Sequence, residues 1–112
     1  MQKIHMNKYG NRKTEYGGQV YASRKEAAYA AELDMCKRAS DPKQRVTEYE
    51  TQKSFDIIVN RTKVCRYVAD FDVLYADGRR EIVDVKGYRT AIYKLKKKMF
   101  EACYPHLKII EK

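Results

Sequence analysis

Between residues 67 and 87 apolar and polar side chains alternate with a period of two on either side of Asp77-Gly78. Such alternation predicts two half-buried strands, and an Asp-Gly pair between them predicts a hairpin. Phe71, Val73 and Tyr75 then share one face with Val83 and Val85, while Asp70, Asp72, Asp84 and Lys86 share the other. A two-residue Asp77-Gly78 loop would set Asp70 opposite Val85 and separate the acids. A three-residue loop, Ala76-Asp77-Gly78 with Gly78 left-handed, pairs Tyr75 with Arg79 and places Asp70 opposite Asp84. The second register is the one expected, because it gathers all the acids that the pattern puts on one face.

Around this hairpin the periodicity changes. Ser23-Arg24-Lys25-Glu26 has the form of a capping box, and Tyr29, Leu33 and Cys36 make an apolar stripe running to about Arg38, before Asp41-Pro42. Val46 to Tyr49 and Ser54 to Val59 read as strand, either one long bent element or a hairpin through Thr51-Gln52-Lys53, with a loop at 60–63. Thr90 is a good N-cap for a helix to about Cys103 with Ile92, Leu95, Met99 and Cys103 on its buried face. Pro105 ends that helix, and Leu107 to Ile110 make a closing strand. The order helix, strands, helix, strand predicts an α/β sandwich around a mixed sheet, with the last strand parallel to its neighbour.

A chain of 112 residues fits one compact domain with one core. Residues 23–112 are expected to form it, with 1–22 a loosely packed basic arm: no period is sustained there, and Gly17-Gly18 offers the turn of a short hairpin. A disordered tail accounts for that composition equally well. No long apolar run or leader pattern is present, so neither a membrane partner nor export is expected, and the cytoplasm is the expected location. Cys36, Cys65 and Cys103 lack the spacing of disulfide or zinc frameworks.

The net charge of +9 is distributed unevenly: residues 1–25 hold six basic and one acidic side chain, 26–85 ten and twelve, and 86–112 eight and two. Basic ends around an acidic middle suit a polyanion, DNA above all, held with strong salt dependence. Lys8, Arg12 and Lys13, interleaved with tyrosines, and Arg89, Thr90, Lys94, Lys96, Lys97 and Lys98 are the candidate nucleic-acid contacts. Lys94, Lys97 and Lys98 fall opposite the apolar stripe of their helix, whereas Lys96 falls at its edge. Gln52 could donate to a phosphate, although an ordinary turn explains it as well.

At the centre, Asp70 opposite Asp84 brings two carboxylates to a Cβ separation of about 5 Å, unfavourable unless something cationic is shared. Mg²⁺ fits, since it takes hard oxygen ligands and binds through one or two carboxylates plus substrate phosphate; Mn²⁺ would substitute. Lys86, two residues on from Asp84, reaches the same volume, and Gly87 permits close approach. The plain alternative is a solvated acidic strand face. Glu26 has two competing jobs, capping the amide of Ser23 or serving the site.

Tyr67-x-Ala69-Asp70-Phe71 followed by Asp84-Val85-Lys86-Gly87 resembles the PD-(D/E)XK nuclease signature in its Asp-x-Lys form, with Ala69 where the motif's proline stands. Lys8-Tyr9-Gly10, Tyr21-x-Ser23-Arg24-Lys25-Glu26-Ala27, Gln52-x-x-Phe55 and Thr90-x-x-Tyr93-Lys94-Leu95-Lys96 resemble small phage-encoded nucleases, relatives of very-short-patch repair and transposase endonuclease subunits. The resemblance implies a restriction-endonuclease-like α-β-β-β-α-β core. It also implies a metal-dependent DNA endonuclease, in its sharper form a Holliday-junction resolvase working as a homodimer in the host cytoplasm, without a small-molecule cofactor. On this resemblance Asp70, Asp84 and the Val85 carbonyl hold the metal, Lys86 orients water or offsets charge, and Glu26 assists. A nucleic-acid-binding module or accessory subunit with a silent nuclease fold is the alternative.

Overall fold

The computed structural model describes residues 12–85 and 89–112. Lys8, Lys86 and Gly87 lie outside them. A short hairpin of β1 (Thr14–Tyr16) and β2 (Gln19–Tyr21) precedes helix α1 (Arg24–Cys36). Strands β3 (Val46–Val59), β4 (Thr62–Tyr75) and β5 (Arg80–Asp84) follow, then helix α2 (Ala91–Cys103) and strand β6 (Ile109–Glu111). The main sheet runs β3-β4-β5-β6, antiparallel except for the parallel β5–β6 edge. That parallel pair follows from the α2 crossover between them. The fold is α/β, with a mixed four-stranded sheet and two helices.

Each sheet face has its own core. On one, Ala27, Tyr29, Ala30 and Leu33 of α1 pack with Val46, Phe71, Val73, Val83 and Val85. On the other, Tyr93 and Phe100 of α2 pack with Phe55, Ile57, Tyr67, Ala69, Ile82, Leu107 and Ile109. Tyr21 is buried in the α1 core, and Tyr16 packs against it. Residues 14–21, expected within a loose arm, therefore form a hairpin seated on α1, turning at Gly17-Gly18 as its glycines foretell. Asp34 anchors it, accepting from the Tyr16 hydroxyl at 2.7 Å and the Tyr49 hydroxyl at 2.9 Å.

The face of α2 is the expected one at its C-terminal end, where Met99 and Cys103 pack against the core, but not in its first turns: Ile92 and Leu95 are 69% and 58% exposed, and Tyr93 and Phe100 are buried instead. Aromatic rings remove more apolar surface from water than the aliphatic alternatives. Phe100 meets Phe55, Tyr67 and Tyr104 at centroid distances of 4.9, 5.2 and 5.0 Å. This rotation draws Lys97, expected on the solvent side, partly under cover beside Glu111 at 3.8 Å.

Strands β3 and β4 form one long hairpin, with Asn60 and Arg61 both left-handed at its tip (φ 49 and 68). The 46–59 segment is thus the single bent strand of the two expected alternatives. The bend has a definite position. Tyr67 and Ala69 belong to the α2 core, whereas Phe71 and Val73, of the same parity, belong to the α1 core. A regular strand keeps one parity on one face, so β4 changes face between Ala69 and Phe71. Strand β3 does so at the same level: Tyr49 packs against the α1 core and Phe55 lies in the α2 core. Between them Gln52 takes φ 52, a left-handed conformation that costs a non-glycine residue about 1 kcal/mol or more.

A candidate active site at the parting of β4 and β5

The β4–β5 pairing runs Leu74↔Arg80, Val73↔Glu81, Asp72↔Ile82 and Phe71↔Val83. The three-residue loop produces this register: Tyr75 N–H donates to Arg79 O at 2.8 Å, Gly78 N–H to Tyr75 O at 3.0 Å, and Gly78 has φ 91. One step further along the same register sets Asp70 beside Asp84, as the sequence pattern requires.

At that step the carboxylates take over from the backbone ladder. Val85 N–H donates to Asp70 Oδ2 at 2.8 Å, and Asp70 N–H donates to Asp84 Oδ1 at 3.3 Å. Each acid thus spans the gap to the other strand's backbone. Asp70 is 7% exposed and Asp84 0%, which makes this a buried acid pair rather than solvated decoration. The face change at Gln52 and Ala69 lies at the same level, where Thr51 pairs with Phe71 and Lys53 with Ala69.

The neighbours of the pair come from β6 and α2. Glu111 lies next to Asp84 in the parallel register, and Lys112 N–H donates to Asp84 O at 2.9 Å. The Glu111 carboxylate accepts from the Tyr93 hydroxyl at 2.7 Å and pairs with Arg89 at 3.0 Å. Hydrogen bonding from Tyr93, then Arg89, then the charge of Lys97 hold the Glu111 carboxyl below its ordinary value. Burial pushes the Tyr93 hydroxyl upward, helped by its bond to Glu111 and by the charge of Asp84. Tyr93 and Glu111 were not among the expected site residues. The signal for Glu111 was the parallel last strand, which sets its side chain beside Asp84.

Glu26 is 4% exposed in the first turn of α1, where Ser23 Oγ accepts from its amide at 3.1 Å. Its neighbour Ala27 packs in the same core as Phe71 and Val85, so this turn lies over the end of the hairpin. Among the described residues no group of three or more His, Cys, Asp or Glu is placed to hold a metal ion.

The expected nucleic-acid contacts fall into separate places. Lys13 and Gln52 share a shallow cleft with Gln19, Val20 and Tyr21. Arg12 is exposed nearby in sequence, and Lys94 and Lys98 are exposed on α2. Thr90 caps α2, its Oγ1 accepting from Tyr93 N–H at 3.0 Å, and lines a second cleft together with Lys96. Arg89 and Lys97 both bind Glu111.

No helix among the described residues is long and apolar enough to cross a membrane. The chain belongs to the family described as protein of unknown function DUF1064, whose profile matches residues 6–111. No curated protein and no solved structure matches it.

Proposed function

We propose that this member of the DUF1064 family is a Mg²⁺-dependent endonuclease of the PD-(D/E)XK type. Its substrate would be branched DNA, Holliday junctions included, cut by hydrolysis of phosphodiester bonds. The observation that carries this reading is the buried pair Asp70 and Asp84, joined by reciprocal bonds to each other's strands. Two carboxylates adjacent and out of bulk water repel one another unless cationic charge is shared between them. Hard oxygen donors from two acids, with the Val85 carbonyl next in the chain, fit Mg²⁺, an ion that keeps several waters, and Mn²⁺ in its place. When bound, such an ion lowers the pKa of a coordinated water and offsets charge on the phosphate.

The chain's own residues supply the remainder. Asp70 and Asp84, fixed from two strands, give the site a rigid floor. Lys86, two residues on from Asp84 in the chain, would supply the ammonium that offsets charge developing on the phosphate or orients the attacking water. Glu26 acts from the first turn of α1 through a water. Lys13 with Gln52 at one side and Lys94 with Lys98 at the other bind the DNA backbone, and a homodimer presents two such centres to the two strands of a junction.

Matched linear, nicked, flapped and four-way-junction DNAs incubated with Mg²⁺, with and without EDTA, beside Asp84→Ala, test the reading. Cleavage should require the metal, disappear in Asp84→Ala and favour a branched substrate. Binding of every DNA with no cutting, Mn²⁺ included, would make the chain a binding module instead.

A further inference from the structure

We infer that the cleft between β4 and the first two turns of α2 receives one unpaired nucleotide of the substrate strand, beside the acid pair. The inference rests on the nuclease reading for its substrate and on separate residues for its site. The cleft measures about 290 Å³ and is lined by Arg66, Tyr67, Thr90, Ile92, Tyr93 and Lys96. No carboxylate is among its lining residues, and two cations are. The positive end of the α2 dipole opens at the same place. This is a setting for a phosphate.

Its other wall is apolar. Ile92, 69% exposed at the rim, supplies a surface against which a base can pack. Cationic groups combined with apolar and aromatic side chains are how proteins hold single-stranded nucleic acid, because every base offers a flat apolar face. In a duplex that face is stacked between neighbours and cannot enter a cleft, so the occupant is unpaired.

Tyr67 supplies a second, independent observation. It is 3% exposed, and its hydroxyl is enclosed without a hydrogen-bond partner among the described residues. A phenylalanine there would serve the packing against Phe100 without leaving a polar group unsatisfied. Tyr67 lines the cleft, and a nucleotide that parts the side chains covering this hydroxyl brings the acceptor it lacks. The location suits the chemistry too: Tyr67 precedes Asp70 on β4 by three positions, about 10 Å at ~3.3 Å per residue, and Tyr93 on the opposite wall feels the charge of Asp84. The cleft is therefore adjacent to the acids.

Fluorescence anisotropy in EDTA tests this without requiring cleavage. The probes are a labelled blunt duplex and the same duplex bearing a short unpaired thymidine flap. The flapped probe should bind about tenfold more tightly, the order expected for one stacked base. Ile92→Ser and Lys96→Gln should bring the ratio of the two affinities towards one. Tyr67→Phe should lower that ratio several-fold while raising the melting temperature. A ratio near one in the unaltered protein, or an unchanged ratio in these folded variants, overturns the assignment. A protein that prefers the flap yet never cuts refutes the nuclease reading and keeps the cleft. One that cuts without the preference refutes the cleft alone.

Discussion

The β4–β5 hairpin carries acids at two levels, and the two levels treat them differently. Near the turn, Arg80 donates to both oxygens of Asp72, at 2.9 and 2.7 Å. Arg79 lies over the Tyr75 ring at 4.1 Å, and the Tyr75 hydroxyl, pushed up to about 12 by burial and by Glu81, donates to that carboxylate at 3.2 Å. Asp72 and Glu81 there each face a cation or a donor side chain. At the far end Asp70 and Asp84 face each other, and backbone amides donate to them, Val85 N–H to Asp70 and Asp70 N–H to Asp84. Identical residue types thus have different work, decided by what the register sets opposite them. The turn end closes the hairpin, and the open end concentrates negative charge where a cation and a phosphate can meet.

Replacing single acids by their amides would break this comparison if it is wrong. Asp84→Asn should lower cleavage by more than about a thousandfold, because a group that acts together with its partners cannot be replaced piecemeal. Circular dichroism and melting should show an intact fold, since the amide oxygen still accepts from Asp70 N–H. Asp72→Asn should do the reverse, losing about 1 kcal/mol of stability with the Arg80 pair and leaving cleavage in place. Equal loss of cleavage in both variants would mean that the two ends do not differ in function.

A stability measurement sharpens the contrast between these levels and the α1 side. Bonding from Tyr16, with further help from Tyr49 and Lys37, holds the Asp34 carboxyl below its ordinary 3.8 despite some desolvation. Glu111 is held below 4.5 in the same sense by Tyr93, Arg89 and Lys97. A depressed carboxyl contributes stability that is present above its unfolded value and lost as pH falls through its folded one. The melting temperature should therefore stay level from neutrality to about pH 5 and fall steadily below about pH 4. Asp34→Asn should cost about 1 kcal/mol at neutral pH, with part of the acid-side fall removed. A melting temperature that rises on acidification would contradict the direction of both shifts.

Much of this was legible in the chain because local rules agree with the fold. Asp77-Gly78 with alternation on both sides leaves two registers open, and the grouping of the acids on one face selects the one in which Asp70 meets Asp84. Ser23 and Thr90 mark the helix starts for the same local reason, a side-chain oxygen that accepts from an amide three residues on. The face of α2 was only partly legible, because a helical wheel counts apolar positions and cannot know that Phe55, Tyr67 and Tyr104 await Phe100. The part played by Tyr93 and Glu111 was hidden for another reason: the parallel last strand was expected, but over Leu107 to Ile110, and it is the strand's extension to Glu111 that sets this residue beside Asp84. The face change at Gln52 had no local signal at all, since glutamine is not a residue that seeks the left-handed region.

The smallest effect concerns the lysines of α2, which the wheel treats as one set and the structure divides. Lys94 and Lys98 are exposed, whereas Lys97 is drawn to Glu111 and is partly covered. A free lysine on a phosphate releases condensed counterion, and each such contact contributes about 0.9 to the slope of log affinity against log salt. Lys94→Ala with Lys98→Ala should therefore flatten that slope by up to about 1.8 on every DNA probe. Lys97→Ala should flatten it less and instead lower the melting temperature slightly, because its charge is partly shared with Glu111 before any DNA arrives. A change of about 0.9 from Lys97→Ala, equal to that per lysine in the double variant, would place Lys97 on the DNA with the others, and the helix would then bind as one undivided basic face.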